Sequence, residues 1–185
     1  MTMVKQVPLN EEFTISIFTE NAIGLLARIT NQFTKRHINI EALNVSQSEV
    51  EGVHRFTIVV NTTPRQVDLI TKQIEKQVDV YRCFYHKAEE TIHQEIALYK
   101  LPTSVLKNGI EVEDIIRREA ARILSIEEHF FVIEKTGYRK ETTRLFEELK
   151  KFNVTEFVRS GRVSITKPMD ELKEHIQEVK AKAAV

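Results

Sequence analysis

The hydrophobic period of this chain switches between two and about 3.6, and the order of the switches restricts the fold more than any single motif does. Phe13, Ile15 and Ile17 alternate with polar neighbours, as one face of a half-buried strand does. After the turn NAIG the apolar positions become Leu25, Leu26, Ile29 and Phe33, opposite Arg28, Asn31, Gln32, Lys35 and Arg36, which predicts a helix with one apolar face. Residues Ile38–Val45 and Arg55–Val60 read as strands joined by the loop SQSEVEG. Thr63 as N-cap and Pro64 in the first turn start a second helix, whose face is Val67, Ile70, Ile74 and Val78. Val80 to Tyr85 closes the series as a strand, with Val80, Arg82 and Phe84 on one side and Tyr81, Cys83 and Tyr85 on the other.

The order strand, helix, strand, strand, helix, strand, with right-handed crossovers, folds into an antiparallel sheet with both helices on one face. This is the ferredoxin-like βαββαβ unit. The charged segment KAEETIHQ, residues 87–94, separates it from a second series in the same order. That series has a strand at Ile96–Leu101, a helix carrying Val112, Ile115, Ile116 and Ala120, and strands at Ile123–Ile126 and Phe130–Glu134. A helix with Leu145, Phe146, Leu149 and Phe152 and a strand at Val154–Val158 complete it. The fold class is therefore α+β, with ferredoxin-like domains over residues 11–86 and 95–168. The closing PMDELKEHIQEVKAKAAV keeps Leu172, Ile176 and Val179 on one face and predicts an appended helix or frayed tail over 169–185.

A chain of 185 residues has room for two such domains, and 42% apolar residues suffice for their cores. Lys plus Arg and Asp plus Glu both number 27, so no overall field draws nucleic acid or an anionic membrane to the molecule. The one cysteine, Cys83, excludes an internal disulfide and suits a reducing compartment. No leader-like segment opens the sequence, and no stretch approaches the ~18 apolar residues of a membrane span. A cytoplasmic location follows as the expectation.

Residue types that carry catalysis are not grouped. The glycines, at 24, 52, 109, 137 and 161, form no phosphate-cradling loop, and no two histidines stand four apart to hold a metal. No G-x-S-x-G elbow marks a nucleophile. Glu127–Glu128 and Glu147–Glu148 read as solvated surface charges, and Cys83 among Tyr81, Phe84 and Tyr85 reads as a small core residue. The same aromatics could stack on bases, as in four-stranded RNA-binding sheets, but the basic glycine-containing signature of those domains is missing. Catalytic and metal sites are not expected.

The turn before the first helix is the most suggestive place, because a helix amino terminus presents unpaired amides and partial positive charge. Gly24 would let a carboxylate approach the backbone, and the Asn21 amide can both accept from an ammonium and donate to a carboxylate. Asn39 could complete the polar ring, with Ala22, Ile23 and Ile40 as apolar walls. The complementary ligand is a free amino acid with a short aliphatic side chain. Local physics by itself favours Asn21 as a plain helix cap and Asn39 as a plain turn residue.

The segments ENAIGLLARITNQFTKRHINIEALNVSQSE, VDVYRC and FVRSGRVSITK resemble, in order and spacing, the small regulatory subunit of acetolactate synthase (acetohydroxyacid synthase). The resemblance implies that the first domain is an amino-acid-binding ACT domain and that the chain is not itself catalytic. It implies a homodimer through ACT domains paired into one continuous sheet. It further implies a large catalytic subunit that carries thiamine diphosphate, magnesium (Mg) and FAD, joins pyruvate to pyruvate or 2-oxobutyrate, and is activated and made sensitive to valine by the small subunit. This chain itself would bind no cofactor. By position Asn21, Gly24 and Asn39 match the effector pattern, with Ala22 and Ile23 on the same turn and Asn21 and Asn39 of one site coming from different chains. Where the family has glycine after the first helix, this chain has His37, a poorer residue for a left-handed cap. The alternative reading is a ferredoxin-like binding module that responds to another metabolite or binds RNA.

Overall fold

A computed structural model describes residues 10–108 and 110–167 of the chain, and the tail expected to form a helix over 169–185 lies outside them. The described residues form two compact units, one of residues 10–92 with 164–167 and the other His93–Val163.

The first unit runs β1 (Glu11–Glu20), α1 (Leu25–Thr34), β2 (Ile40–Gln47), β3 (Val53–Thr62), α2 (Pro64–Glu75) and β4 (Val80–Lys87). Its four strands lie in the order β2-β3-β1-β4, all neighbours antiparallel. Register explains the core: Phe13, Ile15 and Ile17 of β1 stand opposite Val60, Ile58 and Phe56 of β3, all six on one face. Leu25, Ile29 and Phe33 of α1 and Val67, Ile70 and Ile74 of α2 pack onto that face. Each such side chain taken from water contributes about 1.5–3 kcal/mol. Thr63 caps α2 as expected, its hydroxyl accepting from the Gln66 amide at 3.3 Å, with Pro64 at the first helical position.

Three readings of this unit are corrected. Ile38 precedes β2 and belongs to the end of α1: His37 N–H donates to Thr34 C=O and Ile38 N–H to Phe33 C=O, a Schellman motif with His37 left-handed at φ 53°. Val78 is no part of the α2 face, because α2 ends at Glu75 and leaves Val78 exposed. The strict alternation expected of Val80–Tyr85 is broken by a bulge opposite Phe18 and Thr19. Val80 therefore joins Cys83 and Tyr85 on the helix side, and Tyr81 joins Phe84 on the other.

The second unit contains most of β5 (Thr91–Pro102), then α3 (Ile110–Arg118), β6 (Arg122–Ile126), β7 (Phe130–Gly137), α4 (Arg139–Leu149) and β8 (Glu156–Arg159). The sheet order is β6-β7-β5-β8, and a further short strand, β9 (Val163–Thr166), pairs with β5. Ala97, Tyr99 and Leu101 of β5 and Phe131 and Ile133 of β7 meet Val112, Ile115, Leu145 and Leu149 from the helices. The buried Tyr99 hydroxyl is satisfied by the Thr142 carbonyl at 2.6 Å.

Both units are thus antiparallel sheets with helices, the expected ferredoxin-like pair, but several boundaries move. The charged KAEETIHQ is only briefly a separator, since Ala88–Glu90 is one 3-10 turn and β5 begins at Thr91. Ala120 lies beyond the end of α3 at φ 49°, and Ala121 N–H donates to Ile116 C=O, so that it closes the helix instead of extending its apolar face. Phe152 sits in a 3-10 turn after α4, and the last strand begins at Glu156 rather than Val154.

Candidate effector site

Why does α1 start where it does? Leu25 N–H donates to Ala22 C=O at 3.3 Å, and Gly24 between them has φ 81° and ψ −4°, the second corner of a type II turn. Only glycine takes that corner without strain. A Cβ at Gly24 would meet nothing within 4 Å, so the requirement is conformational and the space beside the backbone is open. Gly24 is itself the N-cap of α1, and no side chain caps the helix. The first-turn amides keep their attraction for an anion.

Asn21 is exposed and makes no hydrogen bond to a described residue, so it is not a helix cap. Ala22 is half-buried, while Ile23, at the tip of the turn, is fully exposed. Ile23 thus stands exposed beside the uncapped start of α1. Leu26 on the same helix is also exposed, as is Val45 on β2, which is the edge strand of the sheet.

Asn39 and Ile40 lie after α1. Asn39 does not make the turn; His37 does, through its positive φ. The Asn39 side-chain amide donates to the Glu41 carboxylate at 2.9 Å, and the β2–β3 register shifts between Ile40 and Ala42, so Glu41 occupies a bulge. Ile40 packs partly against the core of the first unit and offers only part of its side chain as a wall. Glu41 was not singled out by the sequence; its position next to an edge-strand bulge is visible only in the register.

The structure therefore brings Asn21, Ala22, Ile23 and Gly24 together on one turn and sets Asn39 and Ile40 apart. The two groups flank α1, a helix of 10 residues, and such a helix spans ~15 Å. One amino acid cannot reach both groups within one chain.

Other places are less suited to chemistry. Among the described residues no three or more His, Cys, Asp or Glu side chains gather as metal ligands, and no helix is long and apolar enough to cross a membrane. Glu147 is paired with Lys150 at 2.6 Å and Glu148 with Arg118. Burial pushes the Cys83 thiol well above its ordinary range, with the Glu75 carboxylate adding to the effect. The aromatics proposed for base stacking are also engaged: Phe84 stacks on the buried Phe18 at 5.9 Å, and Tyr85 meets Phe13 edge-on at 5.6 Å.

Comparison with known proteins adds to this geometry. Residues 15–82 match the family described as the AHAS small subunit-like ACT domain, and residues 94–168 match the family described as the small subunit of acetolactate synthase. The acetolactate synthase small subunit of Bacillus subtilis (strain 168) is 32% identical over 154 residues, covering 83% of this chain and 89% of that protein. The Mycobacterium leprae (strain TN) small subunit is 30% identical over 83% of this chain and 90% of its own length. Among solved structures, the acetolactate synthase small subunit of Thermotoga maritima superposes with a TM-score of 0.78 at 25% identity, covering 86% of this chain and 99% of that one.

Proposed function

The chain belongs to the family of acetolactate synthase small subunits, and from that premise we propose that it is a non-catalytic regulatory subunit whose paired ACT domains bind valine or a related branched-chain amino acid. The observation that carries the proposal is the separation of Asn21 and Gly24 from Asn39 by the whole of α1. A single ligand can use both groups only when the turn of one copy faces the β2 region of another. Pairing along the β2 edges of two copies would bring the groups together, extend the sheet to eight strands and cover Ile23, Leu26 and Val45.

In that site the effector carboxylate meets the first-turn amides of α1 beside Gly24, with Asn21 donating to it. The ammonium group faces the Asn39–Glu41 pair, where the carboxylate of Glu41 accepts from it. Ala22, Ile23 and Ile40 contact a short branched side chain. Regulation requires the effector to favour one arrangement of the complex over another, since equal affinity for both would shift nothing. The large catalytic subunit, with its thiamine diphosphate, magnesium and FAD, performs the condensation of 2-oxo acids. This chain raises that activity and makes it answer to the end product, in the cytoplasm.

The test is co-purification with a large subunit and an acetolactate assay with and without valine, alongside calorimetric titration of the small subunit with valine, leucine and isoleucine. Binding with inhibition of the complex is the expected result. Absence of heat with all three, in a chain that is folded and dimeric, would refute the effector assignment. Unchanged activity of the large subunit on mixing would refute the activating role.

A further inference from the structure

Asp79, in the turn between α2 and β4, holds both flanks of the Ala22–Leu25 turn. Its main-chain carbonyl accepts from the amide of Glu20, the residue just before Asn21, at 2.9 Å. Its carboxylate pairs with the Arg28 guanidinium at 2.5 Å. Arg28 is one helical turn beyond Gly24, and its amide donates to the Gly24 carbonyl at 3.1 Å. The segment Asn21–Gly24 is thus bounded on each side by a bond to one residue remote in sequence.

Asp79 also has φ 73°, a conformation few residues other than glycine adopt. Such a backbone persists where its surroundings determine it, and here it aims the carbonyl at Glu20 while the side chain reaches Arg28. Nothing comparable among the described residues ties the turn down from within, because Asn21 makes no hydrogen bond to any of them and α1 has no side-chain cap. The turn's own bonds are Leu25 to Ala22 and Arg28 to Gly24, and neither fixes where the turn sits relative to the sheet.

We infer that Asp79, acting with Arg28, is the positioning residue of the effector turn: it fixes the place of the Gly24 amides and of Asn21 before any ligand arrives, and so sets effector affinity without touching the effector. This rests on the effector reading given above. It assigns a role to the α2–β4 turn, which contributes no wall or polar group to the proposed site.

The test uses the full chain and three variants. Asp79→Asn keeps a residue that tolerates the left-handed backbone and keeps the carbonyl, but removes the charge facing Arg28. Arg28→Gln removes the charge from the other side, and Arg28→Lys retains it. Calorimetry with valine is expected to show affinity about ten-fold weaker for Asp79→Asn and Arg28→Gln, within the range by which residues outside a ligand's contact shell act. Arg28→Lys is expected within about two-fold of the parent. Exchange of the Glu20 and Leu25 amides, which donate to Asp79 and Ala22, should accelerate in the two weakened variants while the melting temperature stays nearly constant, a pattern that general destabilisation would not give.

Unchanged exchange in both charge-removing variants overturns the clamp itself. Faster exchange with unchanged valine affinity overturns its link to the effector. If the parent chain binds none of valine, leucine or isoleucine, the effector reading fails and takes the affinity role with it. Exchange of the Glu20 and Leu25 amides then still decides whether Asp79 holds the turn.

Discussion

The side-chain amide of Asn39 donates to the Glu41 carboxylate across 2.9 Å, so one of the two asparagines in the candidate site is already engaged within its own chain. Both residues are exposed, and Glu41 stands at a bulge in an edge strand. The pair is a ready acceptor for an ammonium group, because Asn39 orients a carboxylate that keeps further lone pairs free. Glu41→Gln should therefore weaken effector binding by about five- to ten-fold, the loss of a charge-assisted bond at a partly solvated site. Calorimetric titration checks it, and unchanged or tighter binding would mean that the ammonium lies elsewhere.

Asn21→Ala separates the polar anchor from the fold. Asn21 makes no hydrogen bond to a described residue and is exposed, so its replacement should change stability by no more than about 0.5 kcal/mol. Effector response should be lost while activation of the large subunit survives. A melt and an acetolactate assay with added valine measure the two effects. Loss of activation together with effector response would assign Asn21 a role in holding the subunit interface.

His37→Gly should raise stability. His37 occupies the left-handed position of the α1 Schellman motif, where a residue with a Cβ costs roughly 1–2 kcal/mol. The freer unfolded chain of the glycine variant returns about 0.4–1 kcal/mol of that. A net gain of about 0.5–1 kcal/mol is expected, seen as an increase of about 1–4 °C in melting temperature. Ala120→Gly should behave in the same direction, because Ala120 closes α3 at φ 49°.

Cys83 should be inert in the native chain. Burial raises its thiol far above the ~8.5 of a free cysteine, and the Glu75 carboxylate raises it further. At pH 8 a thiol reagent should react slowly with the folded protein and rapidly once it is unfolded. The sign of the stability effect follows from the raised value. Cys83 contributes fully below about pH 8.5, and its contribution is drawn down as pH climbs from there toward the folded-state value. Rapid reaction of the native protein would show that Cys83 is accessible.

The hydrophobic period identified both sheets and four helices because each strand and helix has one buried face whose apolar residues recur at a fixed spacing. It misplaced Val78 and Ala120 because spacing continues past a helix end, whereas α2 ends at Glu75 and α3 is closed by the left-handed Ala120. It missed the exchange of Val80 and Tyr81 across the sheet for a related reason. A bulge inverts the faces of one end of a strand and leaves the composition unchanged.

For the site, sequence alone determined which residues to propose for their chemistry. Gly24 was legible because a turn into a helix needs it, and the two asparagines because they bracket that helix. Their arrangement was decided only by the tertiary structure. Ten residues of α1 stand between Asn21 and Asn39, which is why the site is proposed to draw on two chains. The parts proposed for Glu41 and Asp79 rest on a strand register and on a contact between distant turns. Such relations depend on which segments meet in space, and local patterns of residue type carry no record of that.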